Sequence, residues 1–162
     1  MNSELHRNFS RRLTSLRYKA AGANAIDATG EPDTVEFLNV AKDDALAWPK
    51  QARRVYPRTA NARMASTIAP FVRQSLEVNN VILGVFNDKL GLPAGSLLKR
   101  HLMEEFSESD VRITRNAPTT NTAKIAIGSH TDFGSLVSSD RLVPKVAAAY
   151  APVFFSYVVL RS

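Results

Sequence analysis

The sequence predicts an α+β chain in which helices come first and strands follow. Apolar residues recur at helical spacing at Leu5, Phe9, Leu13 and Leu16, and again over residues 61–90. The period then shortens: Val111, Ile113 and Arg115 alternate with Arg112 and Thr114. Runs of helix followed by runs of strand are the pattern of an α+β fold. No internal repeat and no low-complexity tract interrupts the order.

Residues 1–20 read as a helix, because the four apolar positions share one face. Gly22 and the loop from Asn24 to Pro32 end it. Val35-Glu-Phe37-Leu38-Asn-Val40 alternates as a strand. The stretch from Lys42 to Pro49 reads as a turn and short helix around Trp48, a packing residue, with Asp43 and Asp44 in the turn. Met64, Ile68, Phe71, Ser75, Ile82 and Phe86 form a stripe on the long helix, which Pro70 kinks or divides. Gly91-Leu-Pro93 stops that helix. A second short helix is expected over residues 96–106, then a turn at 107–110. After the strand at 111–115 and a loop with Pro118, Lys124-Ile-Ala-Ile127 reads as a strand again.

Composition narrows the function classes. The 162 residues are 44% apolar and 22% charged, values of a folded globular chain. There is no cysteine, which excludes disulfides, thiolate zinc sites and cysteine nucleophiles. The net charge is +6, but the basic residues are scattered and not interleaved with aromatics, so no nucleic-acid partner is expected. No apolar run is long enough to span a bilayer; residues 146–160 come closest and contain Pro152. The first twenty residues carry five Arg/Lys against one acid, a composition shared by presequences and by ordinary basic helices. The expected location is cytoplasmic, with no membrane partner.

Three histidines are candidates for chemistry: His6, His101 and His130. Only His130 has a carboxylate in register, at Asp132. In an extended chain residues two apart face the same side, so an imidazole and a carboxylate stand together. With a third donor, such a pair makes the facial triad of non-haem Fe(II) oxygenases. Gly134 leaves room for a turn or a close ligand. His-x-Asp alone is a weak signal, and a surface pair is the simpler reading. His101 reads as a packing or surface residue. Glu104 and Glu105 are adjacent and read as solvated.

The surrounding residues sharpen the pair. Ile127-Gly-Ser-His130-Thr-Asp132-Phe-Gly-Ser-Leu136 resembles the iron-binding strand of the isopenicillin-N-synthase-like Fe(II)/2-oxoglutarate-dependent dioxygenases. Thr29-Gly-Glu-Pro-Asp-Thr-Val-Glu-Phe-Leu-Asn-Val40, Asn61-Ala-Arg-Met64, Phe86-Asn-Asp-Lys-Leu-Gly-Leu-Pro93 and Leu97-Leu-Lys-Arg-His-Leu102 are similar to the fungal branch of that family. The resemblance covers roughly residues 16–136. It implies an N-terminal helical layer followed by a jelly-roll core, a double-stranded β-helix. It also implies Fe(II), 2-oxoglutarate and O₂ as participants, and a small molecule as substrate. His130 and Asp132 match two of the iron ligands.

On this resemblance the expected parts are residues 1–106 as the helical N-terminal region, 107–136 as the first strands of the oxygenase core and 137–162 as a divergent tail. The family's second ligand histidine lies several strands later, and no histidine follows His130 here. Its Arg-x-Ser motif for the 2-oxoglutarate carboxylate is unmatched by Leu160-Arg161-Ser162. The 30 residues after Asp132 form about three strands, where a jelly roll needs about eight. The expectation is therefore an incomplete jelly roll, truncated and inactive alone, with self-association through the open sheet edge. The alternative is a non-catalytic interaction module that binds a partner chain.

Overall fold

The computed structural model describes residues 18–50, 53–116, 136–142 and 153–159, with side chains as far as Val137. The fold is α+β. In chain order the elements are β1 (Tyr18–Lys19), β2 (Val35–Ala41), α1 (Lys42–Ala47), α2 (Arg58–Arg63), a π-turn (Met64–Ile68), α3 (Ala69–Lys89), a 3₁₀ turn (Leu98–Arg100), β3 (Asp110–Asn116), β4 (Leu136–Leu142) and β5 (Val153–Val159). The strands are ordered β1-β2-β3-β5-β4 in one sheet. β1 runs antiparallel to β2, with Tyr18 opposite Leu38 and Lys19 opposite Phe37.

The described residues divide into two compact units. Of the described residues, the first takes 18–39, 112–116, 139–142 and 153–155. Its loop between β1 and β2 folds back on itself: Ala25 bridges Pro32, and the Ile26 N–H donates to Glu31 O at 2.7 Å. Asp27 accepts from the Thr29 N–H and hydroxyl, and Gly30 closes the turn at φ 80°. That left-handed conformation costs an L-residue energy that glycine avoids. Lys19 reaches Asp33 at 2.5 Å and Val35 O at 2.7 Å, tying β1 to the end of the loop. Arg112 lies 4.3 Å from the Phe37 ring centre and donates from Nε to Asn39 Oδ1 at 3.0 Å.

Of the described residues, the second unit takes 40–50, 53–111, 136–138 and 156–159. Its core holds Val40, Ala45, Tyr56, Met64, Ile68, Val72, Leu76, Leu83 and Val111, all buried. The long helical segment is divided where the proline predicts. Pro70 has no N–H to return to the carbonyl four residues back. The backbone widens just before it, and Ala69 N–H bonds Met64 O, five residues back. The helix ends as the Gly91-Leu-Pro93 signal requires. Gly91 N–H bonds Asp88 O at 3.1 Å and Leu92 N–H bonds Asn87 O at 3.0 Å, with Gly91 at φ 63°. That pair of bonds is a Schellman motif.

Strands at β2 and β3 agree with the alternation in the sequence. Four expectations need correction. The helix expected over residues 1–20 does not extend to its end: Tyr18 and Lys19 are β1, because Lys19 bonds across to Asp33 and Val35. Residues 42–47 are helix, and Asp43 and Asp44 lie in its first turn. Residues 96–106 form only the 3₁₀ turn Leu98–Arg100, since two carbonyls of that stretch point at a lysine and not along a helix.

Met64, Ile68 and Ser75 of the expected stripe are buried, but further along α3 the buried face is rotated from it. It runs through Val72, Ser75, Leu76, Asn79, Leu83 and Asn87, while Phe86 is 46% exposed. Val78 and Val85 are more than half exposed, so α3 carries two apolar faces and the sequence stripe lay between them. The strand expected at 124–127 lies outside the described residues. Val153–Val159 of the tail is strand.

Candidate functional site

His130 and Asp132, the sequence's candidate metal pair, lie outside the described residues, as do His6 and Gly134. The described chain approaches them through β3 and resumes at Leu136, four residues past Asp132, where β4 begins. His101 caps the 3₁₀ turn, half-buried. Among the described residues no three His, Cys, Asp or Glu side chains converge into a metal-binding group.

The described residues do hold a polar cluster that sequence reasoning missed. It is built on α1. The Lys42 ammonium is 1% exposed and donates to Met103 O at 3.0 Å and Glu105 O at 2.6 Å. Asp43 Oδ1 stands 3.0 Å from the same nitrogen. An ammonium has three donors, and three acceptors surround this one. The paired carboxylate and the carbonyls offset the cost of burying the charge. The Lys42 N–H bonds Ser109 O at 2.9 Å, and Asp43 Oδ2 accepts the Ser107 N–H at 3.3 Å. Thus α1 is laced to the segment 103–109 by its first two residues. Glu104 and Glu105 are exposed, as expected, but not on a helix.

Asp44, one residue on, faces a different partner set. Its Oδ2 accepts from the Tyr56 hydroxyl at 2.6 Å and its Oδ1 from the Arg53 N–H at 2.7 Å. Tyr56 in turn accepts the Ala41 N–H at 3.2 Å. Burial, reinforced by the bond to Asp44, holds the Tyr56 hydroxyl well above the usual tyrosine range. Arg53 stacks on the Phe106 ring, its guanidinium 4.1 Å from the centre.

Chemically this cluster is a set of ties. Lys42 has its donors committed, and Tyr56 resists ionisation, so neither is poised as a base or nucleophile. In the sequence only the dense run Lys42-Asp43-Asp44 hinted at it. The partners of Lys42 lie 61 and 63 residues away, which no local pattern records.

In the first unit, Glu36 accepts from the Tyr18 hydroxyl at 2.8 Å and pairs with Arg115. The Tyr18 bond first, then Arg115, lowers the Glu36 carboxyl from its ordinary value. This trio, with Glu36 half-buried between Tyr18 and Arg115, joins β1, β2 and β3. Comparison of the chain with protein-family profiles and with curated proteins returns no match.

Proposed function

We propose that this chain is an oxygenase scaffold of the isopenicillin-N-synthase-like kind, with His130 and Asp132 as two donors to a ferrous ion. The observation that carries the reading is the string Ile127-Gly-Ser-His130-Thr-Asp132-Phe-Gly-Ser-Leu136. It is supported by the order of elements around it: a long helix stopped at Gly91-Leu-Pro93, then β3, then a strand beginning at Leu136. An N-terminal layer followed by part of a jelly-roll core is the arrangement that goes with it.

One imidazole and one carboxylate suit Fe(II), but a facial triad takes a third protein donor. No histidine follows His130 in the sequence, and His101 sits at the end of the 3₁₀ turn. The donors present do not make up the complete site. When bound in a complete site of this kind, iron with 2-oxoglutarate and O₂ supplies the oxidising power for a small-molecule substrate. Here His130 and Asp132 hold the ion weakly, and the isolated chain does not turn over.

Titration of the purified chain with Co(II), a spectroscopic substitute for Fe(II), tests the reading. Weak binding at one site is expected, lost in His130→Ala and in Asp132→Ala. With Fe(II), ascorbate and 2-oxoglutarate, succinate release should not exceed a metal-only control. Binding that survives both substitutions would overturn the assignment. Tight binding lost on replacing His6 or His101 would show that the chain does complete its own site.

A further inference from the structure

We infer that Arg112 is a binding site for the carboxylate of a small organic acid, gripped by the two terminal nitrogens of its guanidinium. The inference stands on side chains of the first unit alone and does not rest on the metal reading.

The sheet assembles the site. Lys19 on β1 stands opposite Phe37 on β2. β2 and β3 are neighbours. Asn39 bonds Arg112 and Glu36 pairs with Arg115, so position falls along β2 as it rises along β3. These two strands are therefore antiparallel, and the same register sets Phe37 opposite Thr114. Directly opposed residues share a face, and successive residues alternate between faces. Lys19, Phe37, Asn39, Arg112 and Thr114 thus belong to one face, and Glu36 and Arg115 to the other.

Two cations flank the Phe37 ring, and they differ in their counter-ions. Lys19 Nζ lies 5.6 Å from the ring centre and is neutralised by Asp33 at 2.5 Å. The Arg112 guanidinium lies closer, at 4.3 Å, but its Nε donates to the neutral amide oxygen of Asn39, at 3.0 Å. Among the described residues no carboxylate pairs with Arg112, and its terminal nitrogens have no hydrogen-bond partner. Glu36 is spent on Tyr18 and Arg115, on the opposite face.

A guanidinium stays charged at every working pH, and half-burying it without an anion carries a desolvation cost. Its orientation is nevertheless fixed. Asn39 is 2% exposed and holds one edge, while the Phe37 ring packs against the group. The edge left over carries Nη1 and Nη2. Two parallel N–H groups on that edge match the two oxygens of a carboxylate. The Thr114 hydroxyl, opposite Phe37, is a further donor on the same face. Arg112 and Thr114 are both half-buried, which suits a carboxylate carried on a small body.

Titration of the full chain with benzoate, followed in nitrogen–proton correlation spectra, tests this. Saturable shifts are expected at the amides of Phe37, Asn39, Arg112 and Thr114, and none with benzamide, which has the same shape without the charge. Arg112→Lys keeps the charge but loses the fork, and should weaken benzoate about tenfold. Asn39→Asp supplies an internal counter-ion of the same shape as the amide, and should abolish binding. The dispersion of the same spectra reports that each variant is folded, and Asn39→Asp carries the test if Arg112→Lys does not fold. No saturable shift with benzoate would overturn the inference. So would equal shifts with benzamide, or an Asn39→Asp variant that binds benzoate like wild type. A blocked glutamate peptide that binds more tightly than benzoate would overturn the assignment to a small acid.

Discussion

The Tyr56 hydroxyl donates to Asp44 Oδ2 at 2.6 Å while it accepts the Ala41 N–H at 3.2 Å. One phenolic oxygen thus joins the end of β2, the first turn of α1 and the chain entering α2. Tyr56→Phe keeps the ring and leaves a buried carboxylate oxygen and a buried N–H without this partner. The expected loss is about 1–3 kcal/mol, read from urea unfolding.

The same residue sets an alkaline limit. Its folded-state pKa is raised by burial and by Asp44, so the neutral form is the one that the fold favours. A raised pKa contributes stability that is complete below the unfolded value, about pH 10, and is lost as pH climbs toward the folded one. Stability measured at about pH 9 and about pH 11 should therefore fall in wild type and fall less in Tyr56→Phe.

Lys42→Met should be among the most damaging single changes. Methionine matches the length of the stem but abandons the carbonyls of Met103 and Glu105 and the carboxylate of Asp43. Breaking a buried pair while leaving its partners in place costs about 3–5 kcal/mol. Thermal unfolding would register it. Hydrogen exchange should rise first in residues 103–109, whose backbone is anchored there.

Two asparagines on the buried side of α3 should respond in opposite directions. Asn79 is 1% exposed, and neither of its amide atoms has a hydrogen-bond partner among the described residues. Replacing it with leucine removes that cost, and unfolding should become harder by about 1–2 kcal/mol. Asn87 uses both ends of its amide, donating to Leu92 O at 3.1 Å and accepting the Leu97 N–H at 3.3 Å. Asn87→Leu should destabilise by about 1–2 kcal/mol. Denaturation of the two variants side by side checks the sign.

Gly91→Ala isolates backbone strain. Among the described residues, none beyond its chain neighbours comes within 4 Å of where its Cβ would stand, so the cost is that of the φ of 63°. The expected loss is about 1 kcal/mol, by thermal melting, and Gly91→Asn should lose less because asparagine tolerates that region better.

The readable parts of the fold share one property: their causes are close in sequence. The stop at Gly91-Leu-Pro93 is written in adjacent residues, and the Schellman bonds follow from them. The disturbance ahead of Pro70 has a cause within one turn. The strands at β2 and β3 show in alternation over five or six residues. The helix expected at 96–106 failed for the converse reason. Its periodicity was acceptable, but the carbonyls of Met103 and Glu105 bind Lys42, and a helix cannot spare them. The Asp43–Asp44 pair reads as a turn in the sequence, because nothing nearby shows that one carboxylate binds Lys42 and the other Tyr56. At the candidate metal pair, spacing and neighbours made His130-Thr-Asp132 legible as a motif, whereas a third donor is a matter of spatial approach.

By itself the sequence determined the α+β class, where the long helix is disturbed and where it stops. Each depends on backbone preferences or side-chain register within a few residues. Tertiary structure alone decided which face of α3 is buried, which carbonyls surround Lys42 and which acid Tyr56 binds. Those choices compare free energies of burial and hydrogen bonding between segments that meet only when the chain has folded.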